Sequence, residues 1–223
     1  HCHIGSQIFE KQSFTAAVDR MLEFMAQMKE RHGFEAEVLN LGGGYGIWYA
    51  EGDAKISKDG YADYLRAIIA ELKAKSDAYG VKRPHLVIEP GRSIVGEAGI
   101  TLYTVGNIKD IPGVRKYIAI DGGMFENPRY ALYQAKYTPV LANRANELAT
   151  ERVSIAGKCC ESGDLICVDA LLPPARSGDI LAVLSTGAYN YSMASNYNRN
   201  PIPPVVLVRG GEADYIGKPQ TYD

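Results

Sequence analysis

AEVLNLGGGYGI (36–47) is the stretch on which the fold turns. Ala36 to Leu41 is an apolar run too short for a helix, and it ends abruptly in three glycines: a buried strand and the loop after it. Upstream, Phe14, Ala17, Val18, Met21, Leu22, Met25 and Met28 form one helical stripe over 13–32, closed by Gly33. Its methionines read as core packing, not as ligands. Downstream, Tyr61, Tyr64, Leu65, Ile68, Ile69 and Leu72 repeat the pattern ahead of Gly80, and His85 to Ile88 is another strand. Residues 1–4 (HCHI) read as the end of a strand. The order to residue 90 is therefore β-α-β-α-β, a rhythm of parallel strands with helices packed outside.

Past residue 100 the rhythm changes. Segments 100–106, 116–120, 137–142, 152–156, 164–169, 179–184 and 204–208 are short, β-branched or aromatic, and separated by Gly, Pro and Asp. An antiparallel sheet or barrel is expected there. The predicted organisation is α/β plus β, with a βα part at 1–98 and a β domain at 99–223. A complete barrel of eight βα units needs about 250 residues, and three strands do not close one. The first part is thus either a small open sheet or the last units of a barrel.

Composition narrows the function classes. With 46% hydrophobic and 22% charged residues the 223-residue chain can build a real core. A net charge of −2 offers no footprint for nucleic acid or an anionic membrane, and no apolar run approaches a bilayer span. The four cysteines lack zinc-ligand spacing, so no metal is expected, and they read as free thiols of a reducing cytoplasm.

Five constellations carry chemistry. Gly42, Gly43 and Gly44 follow a strand directly: either their N–H groups approach an anion closely, or they make a tight turn needing positive φ. In VIEPGRSIVGEAG (87–99), Glu89 ends an apolar strand, Pro90-Gly91 turns the chain, and Arg92 offers a planar fork to a phosphate or carboxylate. The alternative there is an internal Glu89–Arg92 ion pair. HCHIGSQ (1–7) brings imidazole, glycine and hydroxyl into one loop. In CCESGD (159–164), Cys160 is either a proton donor or a small buried apolar residue. The polar, tyrosine-rich STGAYNYSMASNYN (185–198) suits ligand contact.

Together and in this order, HCHIGSQI, LNLGGGYGI, EPGRSIVGEAG, DGGMFENPRYALYQA, GKCCESGD and STGAYNYSMASNYN resemble the fold-type III pyridoxal-phosphate decarboxylases, and within them the diaminopimelate branch. The resemblance runs from residue 1 to residue 223. It implies an alanine-racemase-like (β/α)8 barrel, of which these residues are the C-terminal part, followed by an antiparallel β domain. It implies pyridoxal 5'-phosphate as cofactor and meso-2,6-diaminopimelate as substrate, yielding L-lysine and CO2. By the same resemblance His3 stacks on the cofactor ring. Ser6, the Gly42–Gly44 backbone, Gly91 and Arg92 hold its phosphate, with Tyr189 nearby, and Glu89 faces the ring nitrogen. Arg92, Arg129, Tyr133 and Tyr189 are implied substrate contacts, Glu161 takes the distal ammonium, and Cys160 donates the proton that replaces CO2. A homodimer is implied, the Cys-Glu segment serving the neighbouring subunit's site.

The chain departs from the family pattern in having Arg129-Tyr130 where Arg-Pro is common. The family's covalent lysine lies upstream of HCHIGSQ, so the resemblance implies that these 223 residues alone have no decarboxylase activity. Decarboxylation of arginine, ornithine or carboxynorspermidine is the alternative within the class, and a non-catalytic binding fragment the alternative outside it. A racemase is disfavoured by Glu89, because that family places an arginine near the ring nitrogen.

Overall fold

The computed structural model describes residues 1–223 as two compact units, His1–Trp48 with Gly52–Glu97, and Tyr49–Glu51 with Ala98–Asp223. In the first, α1 (Lys11–His32) and α2 (Lys58–Tyr79) accompany β1 (Val38–Asn40) and β2 (His85–Val87). The strands pair in parallel, Val38 opposite His85. Both helices stop at a glycine in the left-handed region, Gly33 (φ 65°) and Gly80 (φ 63°), whose N–H groups cap the last carbonyls. Ser57 caps α2 from the other end, its hydroxyl accepting the Gly60 N–H at 3.1 Å.

Phe14, Val18, Leu22 and Met25 of α1 and Tyr64, Ile68 and Leu72 of α2 bury their stripes on Leu39, Leu41 and Tyr45. Phe14 stacks on Tyr45 with centroids 4.6 Å apart, and Tyr64 meets both edge-on. This core fixes the loop after β1, because Tyr45 is the residue that follows its third glycine. Residues 1–4 are not a strand. Cys2 nevertheless donates its N–H to the Asn40 carbonyl, so the segment lies beside β1 without a ladder.

A four-residue helix, α3 (Arg92–Val95), closes the first unit. The second unit holds β3 (Thr101–Ile111), β4 (Arg115–Ile120), a short α4 (Arg129–Tyr133), β5 (Pro139–Leu141), β6 (Glu151–Ala156), β7 (Leu165–Leu172) and β8 (Ile180–Val183). These strands form one six-stranded sheet in the order β5-β8-β3-β4-β6-β7. All its pairs are antiparallel except β4–β6, which is parallel. The sheet expected in this half is therefore antiparallel with one parallel pair, and the chain between its two strands, 121–150, is long enough to return and start again from the same end.

A separate antiparallel hairpin, β9 (Val205–Arg209) and β10 (Glu212–Gly217), turns on Gly210 and Gly211, both at positive φ. No helix is long and apolar enough to cross a membrane. All four cysteines are free thiols.

Candidate functional site

In the first unit three loops converge: 1–7, the glycine loop after β1, and EPGR after β2. Parallel pairing makes this unavoidable, since both strands release their loops at the same end. The glycines let the backbones touch. A Cβ on Gly43 would stand 2.3 Å from the Glu89 carbonyl oxygen, one on Gly44 2.3 Å from that of Gly5, and one on Gly42 2.8 Å from that of Cys2. Gly42 and Gly44 also have positive φ.

The sequence expectation that all three N–H groups are open to an anion needs correction. Gly42 donates to Asn40 Oδ1 at 2.8 Å and Gly43 to His3 Nδ1 at 3.2 Å. These two glycines knit the loops together. The bond from Gly43 also fixes the imidazole: with Nδ1 accepting, a neutral His3 carries its proton on Nε2.

Arg92 is 7% exposed, and its two terminal nitrogens donate to Ser6 Oγ and, at 3.1 Å, to Gln7 Oε1. Gln7 is itself clamped, giving its amide N–H to the Ile47 carbonyl at 2.6 Å and receiving the Ile47 N–H at 3.2 Å. Glu89 takes Asn40 Nδ2 at 2.7 Å and faces His1 Nε2 at 3.5 Å. Its side chain is 53% exposed, so the desolvation cost expected at an apolar strand end does not arise. His3, Ser6, Gly42, Gly43, Gly44, Glu89, Gly91 and Arg92 thus lie on three converging loops that form one cradle, which carries an arginine bonded to a hydroxyl and an accessible carboxylate.

Such a cradle suits a group that is anionic at one end and bears an N–H at the other, and pyridoxal phosphate has that polarity. Asn40 and Gln7 complete it, and neither was singled out from sequence. The available signal was a lone amide inside the apolar run VLNL.

The second unit carries two further clusters. Arg129, at the start of α4, is 7% exposed; its guanidinium lies 5.1 Å from the Tyr49 ring centroid, 5.6 Å from Tyr137 and 5.8 Å from Tyr189. Its Nη1 donates to Tyr137 Oη at 2.6 Å. Burial opposes its charge, but the surrounding tyrosines more than offset this and raise its pKa, so it stays a cation. Tyr189 stands over it with a left-handed backbone (φ 68°). Tyr133, at the far end of α4, is 63% exposed.

The other cluster is the turn CCESGD. Asp164 is buried and accepts the Met124 N–H at 2.6 Å and the Cys159 N–H at 2.7 Å. Gly123 and Gly157 leave room for that carboxylate: a Cβ on either would collide with it. Beside it Glu126 accepts from Gly123 N–H at 2.9 Å and from the Tyr103 hydroxyl at 3.1 Å. Burial pushes Glu126 up to about 7.

So held, the turn presents Cys160 and Glu161 to solvent, the Cys160 N–H bonded to Asn198 Oδ1 at 2.7 Å. Exposure removes the reading of Cys160 as a buried apolar residue. Cys167 is the buried one, its thiol pushed up to about 12 by desolvation. Cys159, desolvated and beside Asp164, is pushed up to about 11.

Residues 1–96 match the pyridoxal-binding domain of pyridoxal-dependent decarboxylases. The chain is 51% identical over 100% of its length to diaminopimelate decarboxylase of Bacillus subtilis (strain 168), and 54% identical over 98% to that of Bacillus methanolicus. It covers 50% of each, so it spans half the length of these relatives. Among solved structures, diaminopimelate decarboxylase from M. jannaschii in co-complex with L-lysine superposes with a TM-score of 0.87 at 38% identity, over 100% of this chain and 49% of that one. The Helicobacter pylori enzyme complexed with L-lysine gives 0.82 at 29% identity, over 98% and 51%.

Proposed function

We propose that this chain, whose residues 1–96 match the pyridoxal-binding domain of pyridoxal-dependent decarboxylases, is part of an enzyme that converts meso-2,6-diaminopimelate to L-lysine and CO2. One observation carries the reading: the match to a diaminopimelate decarboxylase, at 51% identity, spans 100% of this chain and so takes in both units. We further propose a cytoplasmic homodimer, in which the CCESGD turn of one subunit serves the other's site; its exposed Cys160 and Glu161 support this.

In this reading Arg92 and Ser6 hold the phosphate of pyridoxal 5'-phosphate over the close-packed Gly42–Gly44 turn, whose Gly42 and Gly43 N–H groups are used by Asn40 and His3, with Gly91 setting the turn that aims Arg92. His3 lies against the ring and Glu89 accepts the ring N–H. When bound, the cofactor supplies a protonated ring that takes up the electron pair released as CO2 departs. Glu89 keeps that nitrogen protonated, because an anion beside an N–H raises its pKa.

Arg129, a buried cation among tyrosines, binds the carboxylate at the far end of the substrate, with Tyr133 and Tyr189 as neighbours in that role. Charge-assisted bonds of this kind contribute about 1.5–3 kcal/mol each, enough to favour a substrate with two carboxylates. Glu161 takes the distal ammonium. The Cys160 thiol gives its proton to the carbon that loses CO2.

A substrate panel with the full-length holoenzyme tests this reading. Release of CO2 from meso-diaminopimelate, with arginine, ornithine and carboxynorspermidine inert, is expected. Turnover of a dibasic amino acid with diaminopimelate inert would overturn it.

A further inference from the structure

Arg129 opens a helix of five residues, and the neighbours acting most strongly on its guanidinium are tyrosines rather than acids. A chain of two hydrogen bonds sets its aim: Arg129 Nη1 donates to Tyr137 Oη at 2.6 Å, and that hydroxyl donates to Asn190 Oδ1 at 3.2 Å. All three residues are buried, at 7%, 5% and 4% exposure. Bonds in series polarise one another, so the phenol oxygen facing the cation becomes a better acceptor.

Tyr137 is in turn fixed from several sides. Its ring meets Tyr49 edge-on at 5.4 Å, its carbonyl accepts from Cys167 Sγ at 3.7 Å, and the following residue, Thr138, bonds the Tyr49 carbonyl at 2.9 Å. The left-handed backbone of Tyr189 then delivers two groups with one kink, the Tyr189 ring over the guanidinium and the Asn190 amide behind Tyr137.

We propose that Tyr137, backed by Asn190, is the positioning residue for Arg129 and thereby sets the enzyme's preference for a ligand whose far end carries a carboxylate. The proposal rests on the reading that Arg129 binds that carboxylate. One Nη is tied to the phenol, and the ring centroids of Tyr49, Tyr137 and Tyr189 stand within 5.8 Å of the guanidinium, so its orientation is set by this enclosure. Substrate selection then depends on a hydroxyl that never touches the substrate.

L-Lysine and 1,5-diaminopentane differ by that one carboxylate and test the idea in the full-length holoenzyme. Affinity is read both from inhibition and from the ligand-induced change in cofactor absorbance. The parent enzyme should prefer L-lysine. Tyr137→Phe, which deletes only the hydroxyl, should weaken L-lysine about ten-fold and leave 1,5-diaminopentane within about two-fold, since a small misalignment of a binding group is costly only to the ligand it contacts. Asn190→Ala should act in the same direction, more weakly. In an Arg129→Met background Tyr137→Phe should change nothing further, as expected of a residue that works through Arg129.

Retained discrimination in both single variants would overturn the proposal, and so would equal loss of both ligands, the mark of a merely structural role. If the parent enzyme itself does not distinguish the ligands, the role of Arg129 falls, and the proposal with it.

Discussion

The amide nitrogen of Asn40 donates to Glu89 Oε1 at 2.7 Å, and the same side chain accepts the Gly42 N–H through its oxygen at 2.8 Å. One residue of β1 therefore ties the glycine loop to the EPGR turn. Asn40→Ala removes both bonds and frees the carboxylate proposed to face the ring nitrogen. Cofactor affinity of the full-length enzyme should fall by about ten-fold, the worth of one hydrogen bond to a charged group. Absorbance titration with pyridoxal phosphate measures it, and an unchanged dissociation constant would remove Asn40 from the cradle.

Gly43 offers a steric test. An added methyl would sit 2.3 Å from the Glu89 carbonyl oxygen, which is backbone and cannot swing aside. Gly43→Ala should destabilise the protein by about 2–3 kcal/mol, in the range of overpacked sites. Gly163→Ala, whose Cβ would meet nothing within 4 Å, serves as the control. Urea unfolding of the two variants side by side decides whether close backbone approach is the reason for the glycine.

Glu126 makes stability depend on pH. Burial raises its carboxyl from 4.5 to about 7 in the folded protein, so the folded state binds the proton more tightly than the unfolded chain does. The resulting stabilisation is complete below pH 4.5 and is lost as pH rises toward 7, on the order of 3 kcal/mol in all. Asp19, Glu35, Glu147 and Asp179 are shifted downward, so their contributions change only at more acid pH. Denaturation midpoints between pH 5 and 8 should slope in the parent protein and flatten in Glu126→Gln. An identical slope in both would assign the effect to another group.

The proposed sharing of sites between two subunits predicts how variants behave when mixed. Cys160→Ala and Glu89→Ala should each abolish turnover alone. In a mixed dimer, one site would combine an intact cradle with an intact thiol, and random pairing should restore about a quarter of parental activity. Activity no greater than that of the separate variants would place both residues in one subunit's site.

Much of the framework was legible in local pattern. The stripe from Phe14 to Met28 and the glycine at 33 predict α1, and Tyr61 to Leu72 with Gly80 predict α2, because a helix's buried face and its left-handed cap are written within a few residues of one another. The seven β segments beyond residue 100 are likewise marked by composition and turn residues. An eighth, β10, escaped notice although Gly210-Gly211 is a hairpin signal. Residues 42–44 and 89–92 could be named because their motifs sit directly after strands, whereas His3 and Ser6 lie in a segment that forms none.

What local pattern could not supply were the partners. Nothing in the order of residues says that β4 pairs in parallel with β6, or that β3 lies between β4 and β8. Glycines at 42–44 announce a tight loop, yet only the converging backbones reveal that Gly42 and Gly43 spend their N–H groups on Asn40 and His3. Arg129 invites a carboxylate on chemical grounds alone, whereas Tyr49, Tyr137 and Tyr189, far apart along the chain, become its enclosure only when the sheet brings them together. The sequence by itself determined which elements form and which groups carry charge, since those follow from nearest neighbours and side-chain chemistry. The tertiary structure alone decided which groups meet, because hydrogen bonds and desolvation depend on distance in space rather than on separation along the chain.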